Sequence, residues 1–493
     1  MTHGTGRLLG DLTQHLEVAV GHVVRVEELD DLGRGQIVVR NVLPVAGVVA
    51  LQVGEGVGHH PADERLNGRR ALHGQTVAFA TVTITEPLGF NPFDAGFRVD
   101  PYPVYRRLLA EDPVHKTPFG MVVLSRYRDC SSVLRDPRSS SDASNSNMYQ
   151  AFMAGRDPEE VFGALAGMRP FLFMDPPDHT RLRGLVQKAF TPKTVENLRP
   201  RIVELVDELM APALERGSME VIEDLAYPLP VRVITEMLGV PIEDHDTFKG
   251  WSRELAGALD PDFATPEAVA ERREKAASAF VEYFQALIAE RRKDPREDLL
   301  SALITAEDEG HKLSEKELLS TLILLLVAGH ETTVNLIANG VLAFVRHPDQ
   351  LARLRSDPGL ARTAVEEVLR YDPPVQFTAR VALEDIDIGD AVLDKGDQAI
   401  VLVAAANRDP EQFERPDEFD IGRQENRHLS FGLGAHYCLG APLARVEGQV
   451  ALEAVASRLD DLSLAVAQPE YKENIVLRGL ASLPVTFRSA SSA

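Results

Sequence analysis

Phe431-Gly432-Leu433-Gly434-Ala435-His436-Tyr437-Cys438-Leu439-Gly440 is the stretch on which the reading of this chain turns. Three glycines surround one cysteine. Glycine admits positive φ and lets the backbone approach a large flat ligand closely. Pro442 follows, a residue suited to the first turn of a helix, and Leu443 to Leu459 reads as that helix. Cys438 therefore stands just before a helix N-terminus, where free N–H groups and the helix dipole favour a thiolate.

A thiolate in such a setting suits an axial haem ligand that pushes electron density toward the iron. The bland alternative is a buried structural cysteine beside a glycine turn. The whole string, however, resembles the cysteine signature of the cytochrome P-450 family, the haem-thiolate monooxygenases. The pattern Phe-Gly-x-Gly-x-His-x-Cys-x-Gly is matched at every fixed position.

Three further motifs agree with that resemblance. Ser314-Glu315-Lys316-Glu317 is a capping box that opens a long helix. Its apolar run is broken by Ala328-Gly329-His330-Glu331-Thr332-Thr333, about 110 residues before the cysteine loop. A glycine and a polar cluster inside a helix are costly unless used. Glu331 offers an acid and Thr332 a hydroxyl for proton delivery. This resembles the family's oxygen-activation motif.

Glu367-Val368-Leu369-Arg370 sets Glu and Arg three apart on one helical face. Alone it reads as a surface pair; here it resembles the family's structural Glu-x-x-Arg. A third basic residue usually completes that pair. Glu418 stands where many relatives carry Arg, which leaves Arg408, Arg415 or Arg423 as substitutes. The fourth motif is Asp175-Pro176-Pro177-Asp178-His179-Thr180-Arg181-Leu182-Arg183. His179 and Arg183, four apart, share a helix face and suit an anion such as a haem propionate. By resemblance, Arg380 and His436 complete the propionate contacts.

Outward from these motifs, composition bounds the answer. The chain has 493 residues, 44% hydrophobic and 26% charged, the texture of a folded protein. Lys+Arg is 52 against Asp+Glu 75, a formal charge of -23, which argues against nucleic acid and anionic membranes as partners. Only Cys130 and Cys438 are present, too few for a disulfide framework or an iron–sulfur cluster held by four thiolates. The longest purely apolar runs, Val42 to Leu51 and Leu322 to Gly329, fall short of the ~20 residues of a span. No signal-peptide pattern opens the sequence. The expectation is a cytoplasmic protein without a membrane anchor.

Texture changes near residue 90. Residues 1–88 contain no Lys, Ser, Tyr, Trp or Cys, yet hold six of the fourteen His. Gln36 to Arg40 and Thr76 to Ala80 read as short strands. Three readings fit this N-terminal extension: a small β-rich appendage, a tail, or text upstream of the true start, with Val77 or Val82 as initiator. From 90 to 493, helical patterns dominate at Val104–Glu111, His179–Ala189, Thr194–Glu215, Pro266–Arg292, Ser314–Arg346 and Leu360–Tyr371. Strand-like runs are Met121–Leu124, Thr378–Leu383, Ala399–Ala404 and Leu483–Phe487. One large domain, mainly α with a minor β region, is expected over 90–493.

The resemblance covers Phe90 to the C-terminus and implies the family's triangular helical prism around haem b. It implies insertion of one atom of O2 into an organic substrate. Cys438 would ligate the iron. His179, Arg183, Arg380, Phe431, His436 and Gly440 would hold the haem. Ala328 and Gly329 would leave room for O2, and Glu331 and Thr332 would guide protons. Electrons would come from NAD(P)H through a ferredoxin reductase and a ferredoxin, docked on Arg423, Arg427 or Arg445, and the protein would act as a monomer. Ser139–Phe173, Thr235–Leu259, Val375–Thr378 and Ile475–Leu483 are the expected pocket linings. Their apolar content suggests a medium-to-large apolar substrate, of polyketide, terpenoid or steroid type. Two rivals stand beside this reading: oxidative coupling or dehydrogenation by the same machinery, and a non-catalytic haem sensor.

Overall fold

The computed structural model describes three strands within residues 24–50 and residues 90–490, apart from 91, 93, 118–119, 158–166, 257–266 and 309–310. The chain divides into two units, Met1–Gly89 and Phe90–Ala493. In the first, β1 (Val24–Leu29), β2 (Gln36–Asn41) and β3 (Val48–Ala50) form an antiparallel sheet in that order. The strand expected at Gln36 to Arg40 is β2. The one expected at Thr76 to Ala80 lies outside the described residues.

The second unit is mainly helical. It runs α1 (Tyr102–Glu111), β4 (Val114–Lys116), β5 (Val122–Leu124), α2 (Tyr127–Arg135), β6 (Ser139–Ser140), α3 (Asp178–Val186) and α4 (Arg199–Arg216). Then come β7 (Ser218–Glu220), α5 (Pro228–Leu238), α6 (His245–Ala256), α7 (Glu267–Lys293), α8 (Glu315–Arg346) and α9 (Ala361–Tyr371). After β8 (Thr378–Ala382) and β9 (Gln398–Val401), α10 (Ala441–Arg458) leads to β10 (Leu459–Leu464), β11 (Glu470–Tyr471), β12 (Leu480–Ser482) and β13 (Pro484–Ser489). The main sheet has the order β4-β5-β9-β8-β6, and only its β5–β9 pair is parallel. Smaller sheets join β10-β13-β7 and β11-β12.

The centre is α8. Its start is fixed by the expected capping box: the Glu317 N–H donates to Ser314 Oγ at 3.3 Å, and the Ser314 N–H donates to Glu317 Oε2 at 2.8 Å. Apolar residues surround this helix on nearly every side, the pattern of a helix buried in a core. An 18-residue window of it has mean hydropathy 1.5, enough by composition to cross a membrane, but 72% of that window is buried inside the fold. Helices α5, α9 and α10 pack on it. Gly340 allows a close approach of α10: a Cβ there would stand 2.9 Å from Leu452.

Two sequence expectations need correction in detail. The helix expected over Thr194–Glu215 is two helices, Pro192–Glu196 and α4. Pro200 lacks an N–H and is best placed in the first turn of a helix, and α4 starts with it there, although the same helix also carries Pro212 in its interior. The strand expected over Ala399–Ala404 ends at Val401, and Val403–Ala406 forms a helical turn instead. Helices α2, α5 and α6 were not expected. Pro228 and Pro230 fall within the first turn of α5, where no intrahelical N–H bond is lost.

Candidate active site

The cysteine loop is a tight backbone construction. The Cys438 N–H donates to Phe431 O at 2.8 Å, and the Gly432 N–H donates to Leu429 O at 2.7 Å. Gly432 and Gly434 have φ of 66° and 69°, the left-handed region that glycine favours. Gly434 is doubly required, because a Cβ there would stand 2.8 Å from Leu134 O. Phe431 is buried, with the Arg445 guanidinium 4.4 Å from its ring centroid. At Gly440 a Cβ would meet no protein atom within 4 Å. Burial pushes the Cys438 thiol up; the Gly440 and Ala441 N–H groups, with Arg183 and Arg445, pull it back toward the thiolate.

Four basic residues gather beside this loop. His179, on α3, is 1% exposed, and neither ring nitrogen has a hydrogen-bond partner. Its ring centroid lies 4.1 Å from that of His436. Arg183, one turn further along α3, donates to Tyr437 O at 2.6 Å. Arg380, on β8, is 8% exposed and donates to Ala379 O at 2.7 Å. Burial drives the Arg380 guanidinium down to about 10. Burial, then repulsion from His179, Arg380 and Arg183, drives His436 down to about 3. Asp175 is the carboxylate that offsets part of the charge at His179 and Arg380, and it is already engaged by Ser140 Oγ at 2.5 Å and the Ser141 N–H at 2.9 Å.

Buried cations and imidazoles without an anion are costly. This donor set suits a dianion carried by a flat group seated against Cys438. The expected haem therefore fits: two propionates for the basic cluster, and one thiolate for the iron.

The α8 notch is arranged differently from the expectation. Adjacent helical residues point about 100° apart, and Glu331 and Thr332 bond to different partners. Thr332 Oγ1 donates to Ala328 O at 3.0 Å, one turn back. Glu331 is buried, and its Oε2 accepts from Lys472 Nζ at 2.9 Å. His330 Nε2 lies 3.5 Å from Glu331 Oε1. Burial pushes the Glu331 carboxyl up, but His330 and Lys472 together hold it at about 2. Gly329 faces Ile234 of α5, which a Cβ would touch at 3.4 Å.

A sequence profile described as Cytochrome P450 matches residues 120–358 and 359–479. The chain belongs to the cytochrome P450 family. It is 40% identical over 411 residues to the Bacillus subtilis polyketide biosynthesis cytochrome P450 PksS, covering 81% of this chain and 99% of that one. It is 43% identical over 407 residues to the Streptomyces venezuelae cytochrome P450 monooxygenase PikC, covering 80% and 93%. The solved structure of ligand-free CYP164A2 from Mycobacterium smegmatis superposes with TM-score 0.74 at 46% identity, over 81% of this chain and 99% of that one. The protein is thus a P450 monooxygenase of the bacterial type, with natural-product enzymes among its relatives. Its cofactor is haem b, and its electrons come from NAD(P)H through redox partners.

Within this P450 the Glu367–Arg370 pair is fully buried and bidentate, at 2.8 Å for both contacts. Of the three candidate third residues, Arg423 completes it: its Nε donates to Glu367 Oε2 at 3.1 Å. Arg408 instead lies between the Tyr102 and Tyr371 rings, 3.5 and 4.0 Å from their centroids. Arg415 pairs with Glu418 at 2.6 Å. Glu418 still serves the network through its backbone, its carbonyl accepting from Arg370 at 2.9 Å.

The expected docking patch shrinks accordingly. Arg423 is committed to Glu367, and Arg445 holds Glu366 in a bidentate contact at 2.6 and 3.0 Å. Arg427 is the exposed one of the three. Sequence reasoning missed Lys472, which carries no local motif and lies 141 positions from Glu331. It also missed Glu447 on α10, 1% exposed with both carboxylate oxygens lacking a hydrogen-bond partner. Helical spacing from Leu443 and Val450 places Glu447 on the buried face of α10, a signal the sequence did contain.

Proposed function

We propose that this P450 inserts one atom of O2 into an apolar, medium-to-large organic substrate of natural-product, terpenoid or steroid type. A cytoplasmic ferredoxin would supply its electrons, with Arg427 part of the docking surface. The observation that carries the site is the cluster of four basic residues, His179 and Arg380 buried and Arg183 and His436 partly so, set beside the Cys438 loop with Asp175 as the one nearby carboxylate, already held by serines. Haem b, when bound, supplies the redox chemistry that activates O2.

The rest falls to residues of the chain. Cys438 Sγ would ligate the iron; burial pushes its thiol up, and the N–H groups at the start of α10 with Arg183 favour the thiolate against that push. His179, Arg183, Arg380 and His436 neutralise the propionates. Phe431 and Gly440 shape the thiolate side: Phe431 braces the loop, and Gly440 leaves space at its end. Ala328 and Gly329 keep the notch small-sided. The Ala328 carbonyl accepts a hydrogen bond from the Thr332 hydroxyl and so holds it in place, leaving the hydroxyl lone pairs free to accept a hydrogen bond. Glu331 is the buried acid through which solvent protons enter. Phe171 and Phe377, both buried, supply the apolar lining near the basic cluster and β8. Residues 90–493 form this haem domain, with 1–88 an extension outside it.

Replacing Thr332 by Ala tests the enzymatic reading. With a ferredoxin and its reductase, NADPH consumption continues while product falls at least several-fold and peroxide rises. Unchanged coupling overturns the role of Thr332.

A further inference from the structure

The partner of Glu331 comes from a distant part of the chain. Lys472 follows β11 directly, at the base of the loop that leads to β12. Its backbone N–H donates to Gly479 O at 3.0 Å, closing the base of that loop. The loop is docked on the segment before β8: the Gln376 N–H donates to Val476 O at 2.9 Å, and the Arg478 N–H donates to Pro374 O at 2.7 Å. From this fixed base the ammonium reaches α8. It donates to Glu331 Oε2 at 2.9 Å and to Asn335 Oδ1 at 3.2 Å, spanning one turn of the helix. The Lys472 side chain is 22% exposed and that of Glu331 6%, so the pair runs from the solvent edge to a buried carboxylate.

The other groups around the carboxylate are few. His330 is its neighbour on α8, and the Tyr227 ring, ahead of α5, packs edge-on against His330 at 5.7 Å. Lys472 offers the carboxylate an ammonium with three donors, whereas the His330 ring is a cation only when protonated. Among the described residues, no hydrogen bond joins Glu331 to Thr332.

We propose that Lys472 is a positioning residue for proton supply, holding Glu331 ionised and away from Thr332 until a proton arrives from solvent. This rests on the monooxygenase reading. The step moves protons only. Glu331 takes one from solvent at the Lys472 edge, loses its hold on the ammonium, and passes the proton to a lone pair of the Thr332 hydroxyl, whose own proton leaves the Ala328 carbonyl and goes toward the oxygen site. The carboxylate then returns to Lys472. The same lysine ties this cycle to the loop docked on 374–376, a segment expected to line the substrate pocket.

The test uses the full-length, haem-loaded protein with Lys472→Met and Lys472→Arg, and Glu331→Gln as reference. Infrared spectroscopy reports whether a buried carboxyl is protonated. Beside the band that buried Glu447 gives in every variant, the account expects an additional carboxyl C=O band near neutral pH in K472M, absent from wild type and from the K472M/E331Q double variant. It also expects the pH profile of coupling to shift upward by at least one unit in K472M and to return in K472R. Lys472→Gln, which keeps a hydrogen-bond donor, replaces the methionine variant if that one does not fold. No new carboxyl band and an unmoved pH profile, in a folded variant, overturn the proposal. If the wild type fails to show monooxygenase turnover at all, the parent reading falls, and the infrared band alone then decides whether Lys472 governs Glu331.

Discussion

Two buried arginine sites in this molecule use similar residues to opposite ends. Around Glu367, Arg370 and Arg423 the donors and acceptors are matched. Arg370 also donates to the carbonyls of Asn407, Pro416 and Glu418, at 3.1, 2.7 and 2.9 Å. Glu367 accepts in addition from the Asp420 N–H at 2.9 Å and from Asn426 Nδ2 at 3.1 Å. Around His179, Arg183, Arg380 and His436 the balance fails: four bases, and a single carboxylate that two serines already hold. The matched site closes on itself and fixes the chain after α9. The unmatched site is complete only with a dianion. Burial alone does not distinguish a structural arginine from a ligand-binding one; the presence or absence of its counter-charge does.

The contrast breaks most visibly if the matched site is opened. Arg370→Met leaves Glu367 buried with only part of its neutralisation, so stability should fall by about 3–5 kcal/mol. Urea unfolding of the haem-loaded protein measures it. A loss under ~1 kcal/mol would mean that the network is not structural.

Arg380→Met is the matching change at the unmatched site. It removes a cation that has no partner carboxylate of its own, so the protein without haem should lose no stability. Haem retention should weaken by about 10- to 100-fold, the worth of one charge-assisted hydrogen bond. Haem transfer to an acceptor globin reads this directly. Equal loss of fold and haem would erase the distinction between the two sites.

Glu447 sharpens the comparison from the acid side. No counter-charge offsets it: burial raises its carboxyl to about 8, and only the Thr333 side chain opposes that. A group that binds its proton more tightly when folded makes stability fall as pH rises above its unfolded value, until its folded pKa is passed. Between pH 7 and pH 9 the wild type should lose about 1.4 kcal/mol that Glu447→Gln does not lose. Parallel stability curves would show that Glu447 is already ionised at neutral pH.

Much of the site was legible before the structure. His179 and Arg183 share a face by their spacing and Cys438 stands in a glycine loop before a helix, whereas Arg380 and His436 were singled out by family resemblance alone; α8 announced itself through its capping box and apolar length. What stayed hidden depends on distant chain segments. Choosing Arg423 over Arg408 and Arg415 required the path of the backbone after α9. The Lys472–Glu331 pair joins α8 to a loop that no periodicity connects to it. Glu331 and Thr332, adjacent in sequence, read as a single unit, whereas helical geometry gives them different partners. Helix α5 was not expected; it carries Pro228 and Pro230 in its first turn, and a first-turn proline cannot be told from a helix breaker in sequence alone.

The central claim is that Cys438 ligates haem as a thiolate in this fold. The reduced, carbon-monoxide-bound difference spectrum of the purified protein tests it most directly. The account predicts a Soret band at about 450 nm, the wavelength in the family's name, which Cys438→Ala abolishes. A reduced protein that binds haem yet never shows that band, or shows it equally without Cys438, would contradict the account.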